Sequence, residues 1–170
     1  IEIGGGRSFI RAQDDGLNAA FGKKEGVTWE LHETDPYVRF EGGETVILAD
    51  EDGIDSNGDI FFGGGTVLVN GSGSSTSSAV DADGRIWMEG GILVAAGAQG
   101  MDRCPADKGQ QAFHICGGWE PGGSILSFYD ENEQEILAFQ TVHDWNSLIY
   151  SFPEEYGEVY YEVTEEGTES

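Results

Sequence analysis

Short apolar runs recur along this chain, many of them leading into turns that contain Gly, Asp or Asn. Ser8-Phe9-Ile10-Arg11-Ala12-Gln13 alternates apolar and polar positions, and Val46-Ile47-Leu48 and Thr66-Val67-Leu68-Val69 behave similarly. Ile60-Phe61-Phe62 and Ile86-Trp87-Met88 run into Gly-rich turns. These patterns predict short β-strands. Before residue 110 no apolar pattern keeps helical spacing beyond one turn, so the front of the chain reads as all β. After Gly109 the runs lengthen, predicting strands over 112–116, 124–129, 135–139, 147–152 and 158–163. Asp130-Glu131-Asn132-Glu133 reads as a hairpin turn between two of them.

The strands recur in a fixed order. Gly5-Gly6-Arg-Ser-Phe-Ile-Arg-Ala-Gln-Asp14-Asp15-Gly16-Leu17-Asn18 parallels Gly42-Gly43-Glu-Thr-Val-Ile-Leu-Ala-Asp-Glu51-Asp52-Gly53-Ile54-Asp55. The Gly-Gly pair returns at Gly64-Gly65 and Gly90-Gly91, with steps of 37, 22 and 26 residues. A period near 22, with a turn, short strands and an acidic corner in each unit, is what one coil of a parallel β-helix leaves in sequence. The expected organisation is therefore a short solenoid over residues 1–109, followed by β strands over 110–170 that cap it and protect its strand edges. An insertion loop at about 20–36 accounts for the long first step, and the Ser- and Gly-rich tract before Ser78 lengthens a later coil by about four residues. The last residues, from Glu165, are expected to fray.

Composition narrows the partners. With 32 acidic against 8 basic residues the formal charge is −24, which excludes a direct electrostatic grip on nucleic acid or an anionic membrane. No apolar run approaches the length of a membrane-spanning helix, so membrane insertion is not expected. The chain opens at Ile1 inside a repeat, which reads as a segment of a larger multidomain protein, here taken as a monomer. Cys104 and Cys116 are either a short-loop disulfide or two thiols, and their spacing fits neither a zinc ribbon nor a redox Cys-x-x-Cys. The Asn70-Gly71-Ser72 sequon is expected to be idle.

Aligning the repeats stacks acidic residues. Asn18, Asp55 and Asp81 form one ladder, Ala20, Asn57 and Asp83 a second, and Asp15, Asp52 and Ser78 a third. Equivalent positions in a parallel stack lie about 4.8 Å apart, where two carboxylates repel by about 3 kcal/mol at an effective dielectric near 20. Protonation relieves this by raising one pKa of a pair, and a hard cation relieves it at neutral pH. Ca²⁺ held between coils by oxygens is the expected cofactor. Its expected ligands are Asp15, Asp52, Asp55, Asp81 and Asp83, with Asn18, Asn57 and Asp50 as further candidates. The plainer alternative is that the Asp-Gly and Asn-Gly pairs are turn formers, their side chains bound to local amides. An EF-hand loop starting at Asp55 is excluded, since Ile60 stands where Gly is needed and Thr66 where Glu is needed.

The segments Asp52-Gly-Ile-Asp-Ser-Asn-Gly58, Gly64-Gly-Thr-Val-Leu-Val-Asn-Gly71, Ala79-Val-Asp-Ala-Asp-Gly84 and Gly90-Gly-Ile-Leu-Val-Ala-Ala-Gly-Ala-Gln-Gly-Met101 together resemble one group. It is the bacterial cell-surface carbohydrate-binding β-helix family, similar in architecture to pectate lyases. The resemblance extends over about 37–163. It implies a right-handed parallel β-helix that binds calcium, at Asp52, Asp55, Asp81, Asp83 and, by the internal repeat, Asp15. It also implies attachment to a plant cell-wall polysaccharide, cellulose or a pectin-like uronan, outside the cell.

A carbohydrate-binding module needs exposed rings for stacking on sugars, for which Trp29, Tyr37, Trp87, Trp119, Trp145 and Tyr150 are candidates, with Trp29 and Trp119 the better placed for exposure. A lyase needs calcium on the uronate and a base. Arg11, Arg39, Arg85 and Lys108 are available, and Arg85 is first to consider because it follows the acidic corner. A surface ion pair of Arg85 with Asp83 or Glu89 is the plain alternative. His32, His114 and His143 are scattered without a nucleophile partner, and no catalytic residue is assigned. The third class is a structural spacer in which calcium serves rigidity alone.

Overall fold

The computed structural model describes residues 1–21, 36–105 and 109–165. The expected insertion beyond Phe21, including Trp29 and His32, lies outside these residues, as do Lys108 and the tail after Glu165. The described residues are all β, with parallel sheets and an antiparallel sheet, and among them no sheet closes on itself. The first pass comprises β1 (Glu2–Ile3), β2 (Arg7–Ala12) and β3 (Leu17–Ala19). The second comprises β4 (Tyr37–Phe40), β5 (Glu44–Ala49) and β6 (Ile54–Ser56), and the third β7 (Asp59–Phe62), β8 (Thr66–Asn70) and β9 (Val80–Ala82). A fourth begins with β10 (Ile86–Met88) and β11 (Ile92–Gly97). Each complete pass places one strand in each of three parallel sheets: β1-β4-β7-β10, β2-β5-β8-β11 and β3-β6-β9.

The register follows the sequence repeat. Phe9 pairs with Val46, Val46 with Leu68 and Leu68 with Val94, while Asn18 pairs with Asp55 and Asp55 with Asp81. The loop between β8 and β9 absorbs its added residues without shifting either strand. At the Gly-Gly turns the second glycine has positive φ each time: +82° at Gly6, +81° at Gly43, +79° at Gly65 and +80° at Gly91. Side chains rarely adopt this conformation. A Cβ on Gly65 would also run into the Gly43 carbonyl of the pass below, so the pair is required by both backbone torsion and close stacking.

The interior is filled in rows. Val38, Ile60 and Ile86, then Phe40, Phe62 and Met88, point inward from the first sheet; Ile47, Val69 and Ala95 point inward from the second. Phe40 and Phe62 stack at 5.3 Å with nearly parallel rings.

The remaining strands serve two ends. β15 (Trp145–Ser151) joins the second sheet antiparallel to β11, and β12 (Ala112–Glu120) pairs antiparallel with β15, in the order β12-β15-β11-β8-β5-β2. β13 (Ile125–Tyr129), β14 (Glu135–Gln140) and β16 (Tyr160–Thr164) form a separate antiparallel sheet, with the 130–134 turn joining β13 to β14 as expected. This sheet lies against the outer face of the second sheet: Leu126, Phe128 and Phe139 pack on Leu48, Leu68, Val94, Leu148 and Tyr150. Cover on both faces leaves β8, β11 and the end of β5 buried residue after residue, while burial alternates along β4, β7 and β10. Asn70 ties the two parts together. Its Nδ2 donates to the Ala96 carbonyl at 3.1 Å, and its Oδ1 accepts from the Val142 and His143 amides at 2.7 and 2.8 Å. The sequon asparagine is thus fully buried and spent on structure.

Candidate functional site

The acidic corner forms on β3, β6 and β9 and the turns that precede and follow them. The ladders are in the expected register, and much of their polar capacity is used in hydrogen bonds within and between passes. Asp15 accepts the Asp52 amide at 3.1 Å and the Asn18 side-chain amide at 2.5 Å. Asp52 accepts the Ser78 amide at 2.6 Å and its hydroxyl at 3.1 Å. Asp81 accepts the Ala82 amide at 2.8 Å, and Asn57 donates to Asp83 at 3.1 Å. Asp81 bonds the adjacent amide as the turn-forming reading expects, whereas Asp15 and Asp52 bond backbone amides of the next pass.

Asp55 differs. It faces Asn18 on one side and Asp81 on the other, and among the described residues no amide donates a hydrogen bond to its carboxylate. Burial, then the charges of Asp15, Asp52, Asp81 and Asp83, push its carboxyl up to about 6. Burial also raises Asp52 and Asp81, against the lowering effect of the Ser78 and Ala82 bonds. Arg103 closes the far end of this corner: its amide donates to the Val80 carbonyl and its guanidinium to the Ala82 and Gly84 carbonyls. Asp50 stands apart, 3.3 Å from His143. Among the described residues no three of the ladder carboxylates bring oxygens within 4.8 Å of one another; the group that converges this closely is Asp102, His114 and Cys116. The corner thus gathers carboxylate oxygens without bringing three of them together among the described residues.

A second arrangement occupies the outward face of β1-β4-β7-β10. Inward Val, Ile and Phe leave the alternate positions outside, and register aligns Glu2, Arg39, Phe61 and Trp87 across four strands. Phe61 and Trp87 stack at 6.4 Å, Tyr37 meets Phe61 edge-on at 6.3 Å, and the Arg39 guanidinium lies 4.0 Å above the Phe61 ring. Asp59 fixes the last ring, accepting from Trp87 Nε1 at 3.1 Å and from the Arg85 amide at 2.8 Å. The Arg85 guanidinium sits 5.6 Å from the Trp87 ring rather than in an ion pair with Asp83 or Glu89. It is Arg39 that approaches Glu89, at 3.9 Å.

Of the other aromatic candidates, Trp119 is exposed as expected, whereas Trp145 and Tyr150 are buried beneath the C-terminal strands. Phe113, Tyr150 and Phe152 line a separate cleft of about 360 Å³ with Glu154 and Glu158 at its polar side. Cys104 and Cys116 are thiols, not a disulfide. Sequence reasoning missed Phe61, Asp59, Arg103 and the convergence on His114. Phe61 had a usable signal, because it lies opposite Trp87 in the repeat alignment. No family model, curated protein or solved structure matches this chain.

Proposed function

We propose that the chain is a non-catalytic carbohydrate-binding domain, built as a right-handed parallel β-helix with a C-terminal β cap and working at a bacterial cell surface or in a secreted protein. The observation that carries this reading is the in-register row Arg39, Phe61 and Trp87 on a parallel sheet, with Tyr37 beside it. Trp87 at the end of the row offers its ring to the apolar face of a sugar in an extended glycan, with Phe61 packed behind it under Arg39, and the flanking guanidinium and carboxylate groups offer hydrogen bonds to hydroxyls. Plant cell-wall polysaccharide, cellulose or a pectin-like uronan, is the proposed ligand. Arg39 and Arg85 supply the positive charge near the platform that a uronate would need on a chain of this net charge.

Calcium belongs to the same proposal as a stiffening element, favoured by the crowding of four carboxylates around Asp55. Asp15, Asp52, Asp55, Asp81 and Asp83 would hold it. Binding to a panel of neutral and acidic polysaccharides, measured for wild type and for Trp87→Ala with and without calcium, tests the reading. The expected result is saturable binding to at least one glycan, weakened in Trp87→Ala by about 2 kcal/mol, some 30-fold. Equal binding by wild type and variant, or none to any glycan, would reject the platform and leave the spacer reading.

A further inference from the structure

We propose that Asp102, His114 and Cys116, with Ser147 beside them, form a binding site for a divalent transition cation of the Zn²⁺ class. This inference is independent of the acidic corner and of the carbohydrate reading. Three separate segments build the site. Asp102 lies in the loop that follows β11, His114 and Cys116 occupy alternate positions of β12, and Ser147 on β15 stands directly opposite Cys116. Alternation along β12 places His114 and Cys116 on one face. The Asp102 side chain is only 5% exposed and that of His114 29%, so the carboxylate sits inside while the imidazole reaches the surface.

The geometry around His114 Nε2 favours a cation. Asp102 Oδ2 is 2.6 Å from this nitrogen, Ser147 Oγ 2.9 Å and Cys116 Sγ 3.2 Å. An imidazole nitrogen carries one hydrogen or one lone pair, so it makes one good hydrogen bond and not three. A catalytic Cys-His-Asp triad would use both ring nitrogens, one towards the thiol and one towards the carboxylate; here thiol and carboxylate crowd the same atom. Such convergence of nitrogen, sulfur and carboxylate oxygen on one point is the arrangement of metal ligands. All three ligand atoms lie within 4.8 Å of one another. Ligands about 2.0 to 2.3 Å from a tetrahedral zinc lie about 3.4 to 3.7 Å apart, so the two measured separations from Nε2 need to open by roughly an ångström or less.

The donor set selects the ion. Thiolate and imidazole favour zinc and its neighbours over calcium, which takes oxygen. Binding converts the Cys116 thiol to thiolate, with its proton released to solvent, and uses the Nε2 lone pair, leaving the ring hydrogen on Nδ1. Asp102 is held for this role, since its second oxygen accepts the Gly100 amide at 3.2 Å. Ser147 Oγ, 2.5 Å from Asp102 Oδ2, orients the ligating oxygen or stands near the fourth position. A bound ion ties β12 to the loop that closes the last pass.

The test is titration of the chelator-treated protein with Co²⁺, under a non-thiol reductant, followed by absorbance. The expected result is one ion per chain, a thiolate-to-metal charge-transfer band, and intense visible bands of tetrahedral coordination. Stoichiometric Zn²⁺ should displace it and excess Ca²⁺ should not. Cys116→Ser should lose the charge-transfer band and at least about 100-fold in affinity, His114→Ala should lose comparably, and Ser147→Ala about tenfold. Cys104→Ser should behave as wild type. Melting of the metal-free variants close to that of wild type shows that the losses are not unfolding. No band at stoichiometric Co²⁺, or a band that survives Cys116→Ser, or one that vanishes in Cys104→Ser, overturns the assignment.

Discussion

Two polar clusters in this molecule arise in opposite ways. The corner around Asp55 is made by translation: one short sequence unit is laid on itself, so Asn18, Asp55 and Asp81 meet because they hold the same place in successive passes. The cluster around His114 is made by convergence, from a loop after β11 and two strands whose contributing residues are far apart in sequence. Translation half-buries like charges beside one another, and burial first, then repulsion from the neighbouring carboxylates, pushes Asp55 up to about 6. Convergence brings unlike chemistries together and yields a mixed nitrogen, sulfur and oxygen set.

The sharpest test of the translated half is at its turns. Gly65→Ala should destabilise by about 3 kcal/mol or more, since it adds left-handed strain and a collision with the pass below. Gly6→Ala, equivalent in the repeat and at the same φ but with nothing within 4 Å of the added methyl, should cost only about 1 kcal/mol. Equal losses in denaturant unfolding would show that stacking contributes nothing beyond torsion.

On the converged half, Asn70→Ala removes the acceptor shared by the Val142 and His143 amides. It should cost about 2 to 3 kcal/mol. Hydrogen exchange should show faster opening of the 142–143 amides than of β5 and β8. If the opening spreads uniformly, the two parts unfold as one.

The smallest effect carries the most chemistry. Asp55 has a folded pKa above its unfolded value, so its contribution to stability is fully present below about pH 4 and is lost as pH rises through about 6. Without metal, Asp55→Asn should therefore stabilise at pH 7 by about 1 kcal/mol after allowance for solvent screening, and should flatten the fall between pH 4 and 7. With excess calcium the sign should reverse if the ion sits at the corner, because the variant loses a ligand. Thermal melting of both proteins at pH 5 and 7, in calcium and in EDTA, separates proton from cation. Identical curves in all four conditions would leave the corner as turns alone.

The same contrast explains what could be read from sequence. The Gly-Gly pairs, the alternating strands and the three ladders were legible because the repeat carries its own alignment, and the observed register follows it residue for residue. The outward row needed one further step, comparing Ile60-Phe61-Phe62 with Ile86-Trp87-Met88. The side on which the C-terminal sheet packs was hinted at by the unbroken apolar runs of β5, β8 and β11, which need cover on both faces. The His114 cluster left no such trace. Only His114 and Cys116 share a strand spacing, Asp102 comes from a loop, and only the antiparallel return of β15 sets Ser147 opposite Cys116.

The register that survives steps of different length has a practical consequence. Strands β8 and β9 keep their partners although four extra residues separate them, because closing a longer surface loop adds little entropy cost once its ends are fixed. The bend after Asn70 is thus a graft point. A foreign epitope or a recognition loop spliced between Ser72 and Ser77 should leave the neighbouring layers undisturbed, which would make the domain a display scaffold whose added sequence is judged by its own chemistry and not by the fold that carries it.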